Sequence, residues 1–133
     1  MAEIEIGATA SLTKQITDED VMMFAQISGD HNPVHLDEAY AQQTPFGRRI
    51  AHGALTGALI SAVLGQQLPG IGTIYLSQSY KFKAPVFIGD EITAKVEVTK
   101  FRPDKRITTL KTNIYNQNNE LVLEGEAVVI APA

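Results

Sequence analysis

Asp30 and His35 are the residues best suited to proton transfer, and they flank Asn32 and Pro33 in the segment SGDHNPVHLDEAYA, residues 28–41. On a single helix, two residues five apart would point away from each other. Pro33 disfavours helical geometry at Asn32, which is itself a turn former, so the segment is predicted to bend between two helices. A bend can bring a carboxylate and an imidazole together, as general acid–base catalysis requires. The plainer alternative is a carboxylate that caps local N–H groups and a surface imidazole.

A second set of candidate positions lies around the apolar stretch ALTGALISAVLG, residues 54–65. In the first turn of a buried helix, the N–H of Gly53 would have no intrahelical acceptor and no side chain to keep a ligand away. It is a candidate donor to a carbonyl oxygen that gains negative charge, although a glycine there can also serve only close packing. Small residues recur every four positions and form one stripe along this helix: Gly53, Gly57, Ser61 and Gly65. Ser61 lies two turns beyond Gly53 on this stripe, where a serine more often bonds to its own backbone. His52 is interpreted as a partly buried core histidine whose ring nitrogens are satisfied by hydrogen bonds.

Hydrophobic periodicity predicts the elements that must position these residues. The N-cap Thr17 begins a helix that ends at Gly29, a short helix follows near Asp37, and the apolar stretch forms a long third helix. A loose alternation over residues 8–16 is compatible with a first strand. Four later strands are predicted at Thr73–Lys83, Glu91–Phe101, Arg106–Asn116 and Leu121–Ile130. The turns between the later ones, RPDK and NQNN, are of hairpin length, so an antiparallel meander is expected. The fold class is α+β, with a long helix wrapped by a curved antiparallel sheet.

The composition limits the classes of function. The 133 residues suffice for one domain, and a net charge of −4 with 11 scattered Lys and Arg residues argues against binding to nucleic acid. Cysteine is absent, and the three histidines lack the helical spacing of a zinc enzyme, so no metal site is expected. The N-terminus MAEIEIGATA lacks the features of a signal peptide, and the longest apolar stretch is too short to cross a membrane. A cytoplasmic location without membrane partners is expected.

The segment FAQISGDHNPVHLDEAYA resembles the signature of the MaoC-like (R)-specific enoyl-CoA hydratases. Its core, Gly-Asp-x-Asn-Pro-aliphatic-His, is intact at Gly29, Asp30, Asn32, Pro33, Val34 and His35. The likeness extends to RIAHGALTGALISAVLGQQLPG and to SQSYKFKAPVFIGDEITAKVEV, and therefore over most of the chain. The resemblance is strongest to the short hydratases that supply monomers for polyhydroxyalkanoate synthesis. It implies a single hot dog domain over residues 1–133 and a homodimer with acyl-CoA sites at or near its interface.

The resemblance also implies a mechanism, which needs no cofactor. Water adds across the C2=C3 bond of a trans-2-enoyl-CoA in the syn sense and gives the (R)-3-hydroxyacyl-CoA. Asp30 and His35 would hold and activate one water and manage the proton delivered to C2. The Gly53 N–H would polarise the thioester carbonyl, and Ser61 would orient Asp30.

Two other functions stay open beside hydration. A hot dog thioesterase is disfavoured because its usual carboxylate lies on the central helix, and residues 54–65 contain no acid. A non-catalytic acyl-CoA binding protein would have little reason to keep Asp30, His35 and Gly53 together. Among the cations that could meet the CoA phosphates, Lys81 and Lys83 are slightly favoured, because they share one face of a predicted strand.

Overall fold

The elements form where the sequence periodicity places them. The computed structural model describes residues 4–133 of the chain. The helices of this part are α1 (Asp18–Ser28), α2 (Pro33–Leu36), α3 (Glu38–Gln42) and α4 (Gly53–Gln66). The strands are β1 (Thr9–Gln15), β2 (Ile74–Phe82), β3 (Glu91–Arg102), β4 (Ile107–Tyr115) and β5 (Leu121–Ile130). The first strand, the three predicted helices and the four later strands are confirmed, and each later strand lies within one residue of its predicted bounds.

All five strands belong to one antiparallel sheet with the order β1-β3-β4-β5-β2. The hairpins β3–β4 and β4–β5 follow the predicted meander. β2 departs from it, because it pairs with β5 at the edge of the sheet rather than with β3. The connection between β2 and β3, residues 83–90, is too long for a tight hairpin turn, and its Phe87 bridges to Ile50 instead. The predicted meander of four strands is therefore wrong for β2.

α4 packs its apolar face against this sheet. Its side chains at Leu59, Ile60, Val63 and Leu64 are at most 6% exposed. The apolar row of β3 is completely buried and consists of Ile92, Ala94, Val96 and Val98. Burying a large aliphatic side chain contributes roughly 1.5–3 kcal/mol, so packing outweighs the lower helix propensity of the three glycines in α4. A helix held by a curved antiparallel sheet is the predicted hot dog arrangement. No helix within residues 4–133 has the length and apolar character needed to span a membrane.

Two local structural features, a C-cap on α1 and an N-cap on α2, produce the bend between these helices. α1 ends at Gly29, whose φ of 80° is the left-handed conformation that glycine tolerates, and whose N–H donates to the Ala25 carbonyl at 2.9 Å. Asn32 then caps α2, because its Oδ1 accepts from the Val34 N–H at 3.2 Å. Pro33 occupies the first turn of α2, where its missing N–H costs nothing. The predicted bend is confirmed, and it contains one helical turn, α2, that the periodicity did not indicate.

Candidate active site

The bend brings Asp30 and His35 together and adds His52 to them. A carboxylate oxygen of Asp30 and one ring nitrogen of each histidine lie within 4.8 Å of one another. Asp30 lies in the loop between α1 and α2, His35 lies on α2, and His52 directly precedes α4. The proximity that proton transfer between Asp30 and His35 would need is therefore present.

Asp30 is an exposed residue held in place by its own turn. Its N–H donates to Ser28 Oγ at 3.1 Å, and its Oδ1 accepts from the Asn32 N–H at 3.2 Å. The plainer interpretation of Asp30, a carboxylate that caps a local N–H, is thus partly correct. Its second oxygen, Oδ2, has no hydrogen-bond partner among residues 4–133, so the carboxylate keeps an acceptor for a ligand or a water molecule.

His35 is a buried imidazole, which rules out its interpretation as a surface residue. It is only 8% exposed, and its Nδ1 lies 2.7 Å from the Ile50 carbonyl oxygen. Because a carbonyl only accepts, Nδ1 carries the proton, and Nε2 of the neutral ring keeps a lone pair. Burial lowers the pKa of His35 below 6.5, against the opposing effect of the Ile50 hydrogen bond. Near neutral pH the ring is therefore a base.

Arg49 stabilises the position of α2, the helix that carries His35. Its Nε donates to the His35 carbonyl oxygen at 2.7 Å, and its Nη2 contacts Asp18 Oδ1 at 2.7 Å. Asp18 is the first residue of α1. One guanidinium thus joins α2 to the start of α1, because its planar group presents several donors in fixed directions.

His52 is the most buried of the three groups, at 1% exposure. Its ring stacks on His35, with centroids 4.0 Å apart and planes inclined by 29°, and it also contacts Phe24 at 4.9 Å between centroids. Its Nε2 lies 3.0 Å from the Asp30 carbonyl oxygen, so Nε2 carries the proton. The expectation of a core histidine is confirmed, but the ring is almost completely rather than partly buried, and its Nδ1 is not satisfied by any residue in the range 4–133. Its contacts with both proton-transfer candidates were not foreseen.

Gly53 begins α4 at the edge of a cavity of about 460 Å³ that His35 also lines. The first amide of α4 to bond within the helix is that of Thr56, which donates to the His52 carbonyl at 3.2 Å. The N–H groups before it, including that of Gly53, have no intrahelical acceptor. His52 at the N-cap supplies no side-chain hydrogen bond to them. An amide donor and a neutral imidazole therefore lie on the wall of one cavity.

The absence of a side chain at Gly53 also serves packing. A Cβ added there would lie 2.7 Å from the ring of Phe82, which lines the same cavity. One turn further along α4, a Cβ at Gly57 would lie 2.6 Å from the ring of Tyr80. Both interpretations of Gly53 therefore have support: the aromatic rings of β2 seat on the glycine stripe, and one glycine among them reaches the cavity.

Ser61 lies apart from this group. It is exposed on α4, eight residues after Gly53 and therefore about 12 Å further along the helix axis. Among residues 4–133 no hydrogen bond joins it to Asp30, and its predicted role stays a prediction. Of the two favoured lysines, Lys83 lines the cavity and Lys81 does not.

The family follows from comparison with known proteins. A family model described as the MaoC-like domain matches residues 2–119. The chain belongs to the MaoC-like family. The resemblance found in the sequence motifs is thereby confirmed, and the motif residues Asp30 and His35 lie within the matched part.

Relatives cover the MaoC-like chain almost completely. It is 54% identical over 129 residues to the (R)-specific enoyl-CoA hydratase of Aeromonas caviae, and the match covers 97% of this chain and 96% of the relative. It is 50% identical over 130 residues to the 3-hydroxybutyryl-CoA dehydratase of Methylorubrum extorquens, with 98% and 82% covered. A solved structure of an (R)-hydratase from A. caviae involved in PHA biosynthesis matches with a TM-score of 0.96 and 52% identity, over 99% of this chain and 100% of that one.

The cluster of Asp30, His35 and His52 in the MaoC-like chain contains ligand types that metals use. The sequence spacing that argued against a zinc site says nothing about residues that the fold brings together. The ring geometry favours a different use. With the ring planes only 29° apart, a metal bound 2.0–2.1 Å from a nitrogen of each ring would require the stacked rings to turn. One nitrogen of each ring donates to a carbonyl oxygen, and the other nitrogen of each neutral ring stays an acceptor.

Proposed function

We propose that the chain is an (R)-specific enoyl-CoA hydratase, a hydro-lyase that adds water to trans-2-enoyl-CoA and forms (R)-3-hydroxyacyl-CoA. The observation that carries the proposal is the pairing of the Asp30 carboxylate with the buried His35 imidazole, whose candidate atoms lie within 4.8 Å of each other. His35 shares a cavity wall with Gly53. The names of relatives at 54%, 51% and 50% identity support the same chemistry.

Three tasks of the reaction match three groups of the site. The oxygen of water forms a bond to C3 while one of its protons passes to the Asp30–His35 pair, and the pair returns a proton to C2. Because water and proton come from one pair on one face of the substrate, addition is syn. The two groups are coupled and act as a unit. The lone pair on His35 Nε2 and the free Oδ2 of Asp30 are the acceptors that hold the water.

The Gly53 N–H donates to the thioester oxygen, where negative charge develops as the new bond to C3 forms. Donors of this kind lower a barrier by roughly 3–4 kcal/mol when they are fixed beforehand, and the packing of α4 fixes this one. The resemblance also gives Ser61 the role of orienting Asp30, but within this chain Ser61 lies apart from Asp30, so the geometry does not support that part of the mechanism. Lys83, at the cavity wall, is the cation best placed to meet the CoA moiety.

The enzyme works as a homodimer, and the apolar edge of the sheet supports this part of the proposal. β2 lies at the end of the sheet, and all its large apolar side chains are at least 37% exposed: Ile74, Tyr75, Leu76, Tyr80 and Phe82. An edge strand of this kind favours pairing with another chain. Pairing of two β2 strands would cover it and would place Phe82, and with it the acyl-CoA cavity, beside the interface.

The proposal extends to the setting of the enzyme. The chain acts as one domain over residues 1–133. It works in the cytoplasm, where disulfides are rare, and a chain without cysteine is compatible with that compartment. Its product has the (R) configuration and the thioester that a polyhydroxyalkanoate monomer needs. The enzyme therefore connects fatty acid oxidation with the supply of such monomers, in agreement with the PHA association of the A. caviae structure.

An assay with crotonyl-CoA separates this function from its alternatives. Loss of the enoyl absorbance without release of free thiol is the expected result. Thiol release would instead identify a thioesterase, and unchanged substrate in the presence of measurable binding would identify a non-catalytic acyl-CoA protein. Chiral analysis of the product gives the second test, in which the (3R) alcohol is expected and the (3S) alcohol would contradict the proposed site.

A further inference from the structure

His52 occupies its position at a cost in stability. It is the N-cap of α4, yet its side chain forms no capping bond, although Ser, Thr, Asp or Asn would do so at that position. Its Nδ1 is buried and has no hydrogen-bond partner among the described residues. A buried unpaired acceptor has lost its water without compensation. A residue chosen for helix stability alone would not be a histidine.

The contacts of His52 connect two parts of the proposed site. Its Nε2–H donates to the backbone carbonyl of Asp30 at 3.0 Å, across 22 positions of sequence. The residue that follows it is Gly53, the first of α4. One side chain thus ties the loop of the carboxylate to the helix end that carries the amide donor.

The ring of His52 also supports the second proton-transfer group. It stacks on His35 at 4.0 Å between centroids, while Phe24 covers another side at 4.9 Å. The Ile50 carbonyl holds His35 Nδ1 at 2.7 Å from the other direction. His35 is therefore fixed by a hydrogen bond in its plane and by a ring against its face, which leaves little freedom to turn away from Asp30.

We propose that His52 is a positioning residue whose Nε2–H holds the Asp30 loop against the first turn of α4, so that the carboxylate, the His35 imidazole and the Gly53 N–H keep one mutual geometry. The inference rests on the proposed hydratase function, since it assigns His52 a part in that reaction. His52 does not touch the substrate and acts only through Asp30 and His35.

Two substitutions separate the hydrogen bond from the ring. His52→Phe keeps a flat ring for stacking and removes the donor together with the unpaired Nδ1. His52→Gln keeps an N–H at a similar reach and removes the ring. With crotonyl-CoA, His52→Phe is expected to lower kcat by roughly 10- to 100-fold, as a displaced reacting group does, with KM changed by less than about threefold. His52→Gln is expected to retain several-fold more activity than His52→Phe.

The stability of the variants distinguishes positioning from folding. Because His52→Phe removes a buried unpaired acceptor, its thermal midpoint is expected to stay near that of the wild type while kcat falls. A matched control is His31→Phe, which removes an imidazole from the same loop. His31 is exposed, and its side chain bonds within residues 4–133 only to Gly29, two residues away, so activity is expected to stay within about twofold. Wild-type kcat in His52→Phe, or equal losses in the Phe and Gln variants, would overturn the proposal.

A spectroscopic measurement tests the same contact without any variant. Nitrogen-15 spectra of the wild-type imidazoles should show His52 protonated at Nε2 and His35 protonated at Nδ1 at neutral pH. The opposite tautomer at His52 would exclude its bond to the Asp30 carbonyl. A wild-type chain that does not hydrate crotonyl-CoA would overturn the proposed function itself, whereas an active wild type with an equally active His52→Phe variant would overturn only the role of His52.

Discussion

Two regions depart from the usual pattern of burial. The corner formed by Asp30, His35 and His52 buries polar groups, whereas the edge strand β2 exposes large apolar side chains. At the corner, two imidazoles are at least 92% buried, and one of their nitrogens has no partner in the described part of the chain. Along β2, large apolar side chains are 37–57% exposed. Buried polar groups and exposed apolar rows both lower the stability of a lone chain. The proposed chemistry would account for the first departure, and the proposed homodimer for the second.

Removing either member of the proton-transfer pair should have the largest effect. Asp30→Asn keeps the turn, because its amide oxygen can still accept from the Asn32 N–H, and His35→Gln keeps much of the buried volume. Each is expected to lower kcat by roughly 10² to 10⁴. Activity is followed with crotonyl-CoA, and circular dichroism checks that the fold persists. Near-normal turnover in either folded variant would mean that the corner serves structure only.

Gly53 and Gly57 offer a comparison within one helix. An alanine at either position would bring a Cβ to 2.6–2.7 Å from an aromatic ring of β2 that is at least 37% exposed and can move aside. Only Gly53 lines the cavity. Gly53→Ala is therefore expected to lower kcat/KM by about tenfold or more, because the methyl group and the displaced Phe82 ring crowd the amide donor.

Gly57→Ala is the matched control, since it causes the same kind of clash one turn away from the cavity. Its kcat/KM should fall less than that of Gly53→Ala, while the two thermal midpoints change to a similar extent. Equal kinetic losses in both variants would show that Gly53 serves only the packing of α4 on β2.

The corner was partly readable from the sequence because its decisive signals are local. Pro33 and Asn32 indicate a bend over a few residues, and the bend alone predicts that Asp30 and His35 can meet. The helices and strands were readable for a similar reason, since periods of 3.6 and 2 residues are properties of short segments. The motif around Asp30 then indicated a family that periodicity cannot identify.

The rest depends on contacts between distant segments. His52 bonds to Asp30 across 22 residues, and no pattern in either segment indicates the other. β2 pairs with β5 rather than with β3, so the meander predicted for the four later strands was wrong for β2. Sequence periodicity fixes the face that a strand buries, whereas its neighbour in the sheet is selected by the packing of the whole core.

A charged residue on β2 tests whether this edge strand forms the proposed dimer interface. Leu76 is 50% exposed and lies at an irregularity in the β2–β5 pairing, so Leu76→Lys should leave the folded chain intact. If two β2 strands pair, the lysine would place a charge on the paired edge, and a lysine on an edge strand opposes such pairing. Size-exclusion chromatography with light scattering should show a shift from dimer to monomer, with a several-fold loss of activity. Leu76→Met, which keeps an apolar side chain, is the control. An unchanged dimer in the Leu76→Lys variant would exclude β2 as the interface.

The pH dependence should give the smallest effect, and it tests whether burial at the corner tunes the chemistry. Desolvation lowers the pKa of His35, the Ile50 hydrogen bond opposes it, and the nearby His52 adds to the lowering. The neutral ring is the base, so kcat/KM should be constant above pH 6.5 and should fall at a lower pH as His35 becomes protonated.

The free energy of unfolding should change with pH in the same direction as kcat/KM. Between the lowered pKa of folded His35 and its ordinary value of 6.5, the unfolded chain binds more protons than the folded chain. The contribution of neutral His35 to folding is therefore complete above pH 6.5 and is lost as the pH falls through that window. Titration of the His35 resonances by NMR, beside the kcat/KM profile, checks both expectations. A His35 midpoint above 6.5 would show that the charge of Asp30 outweighs burial.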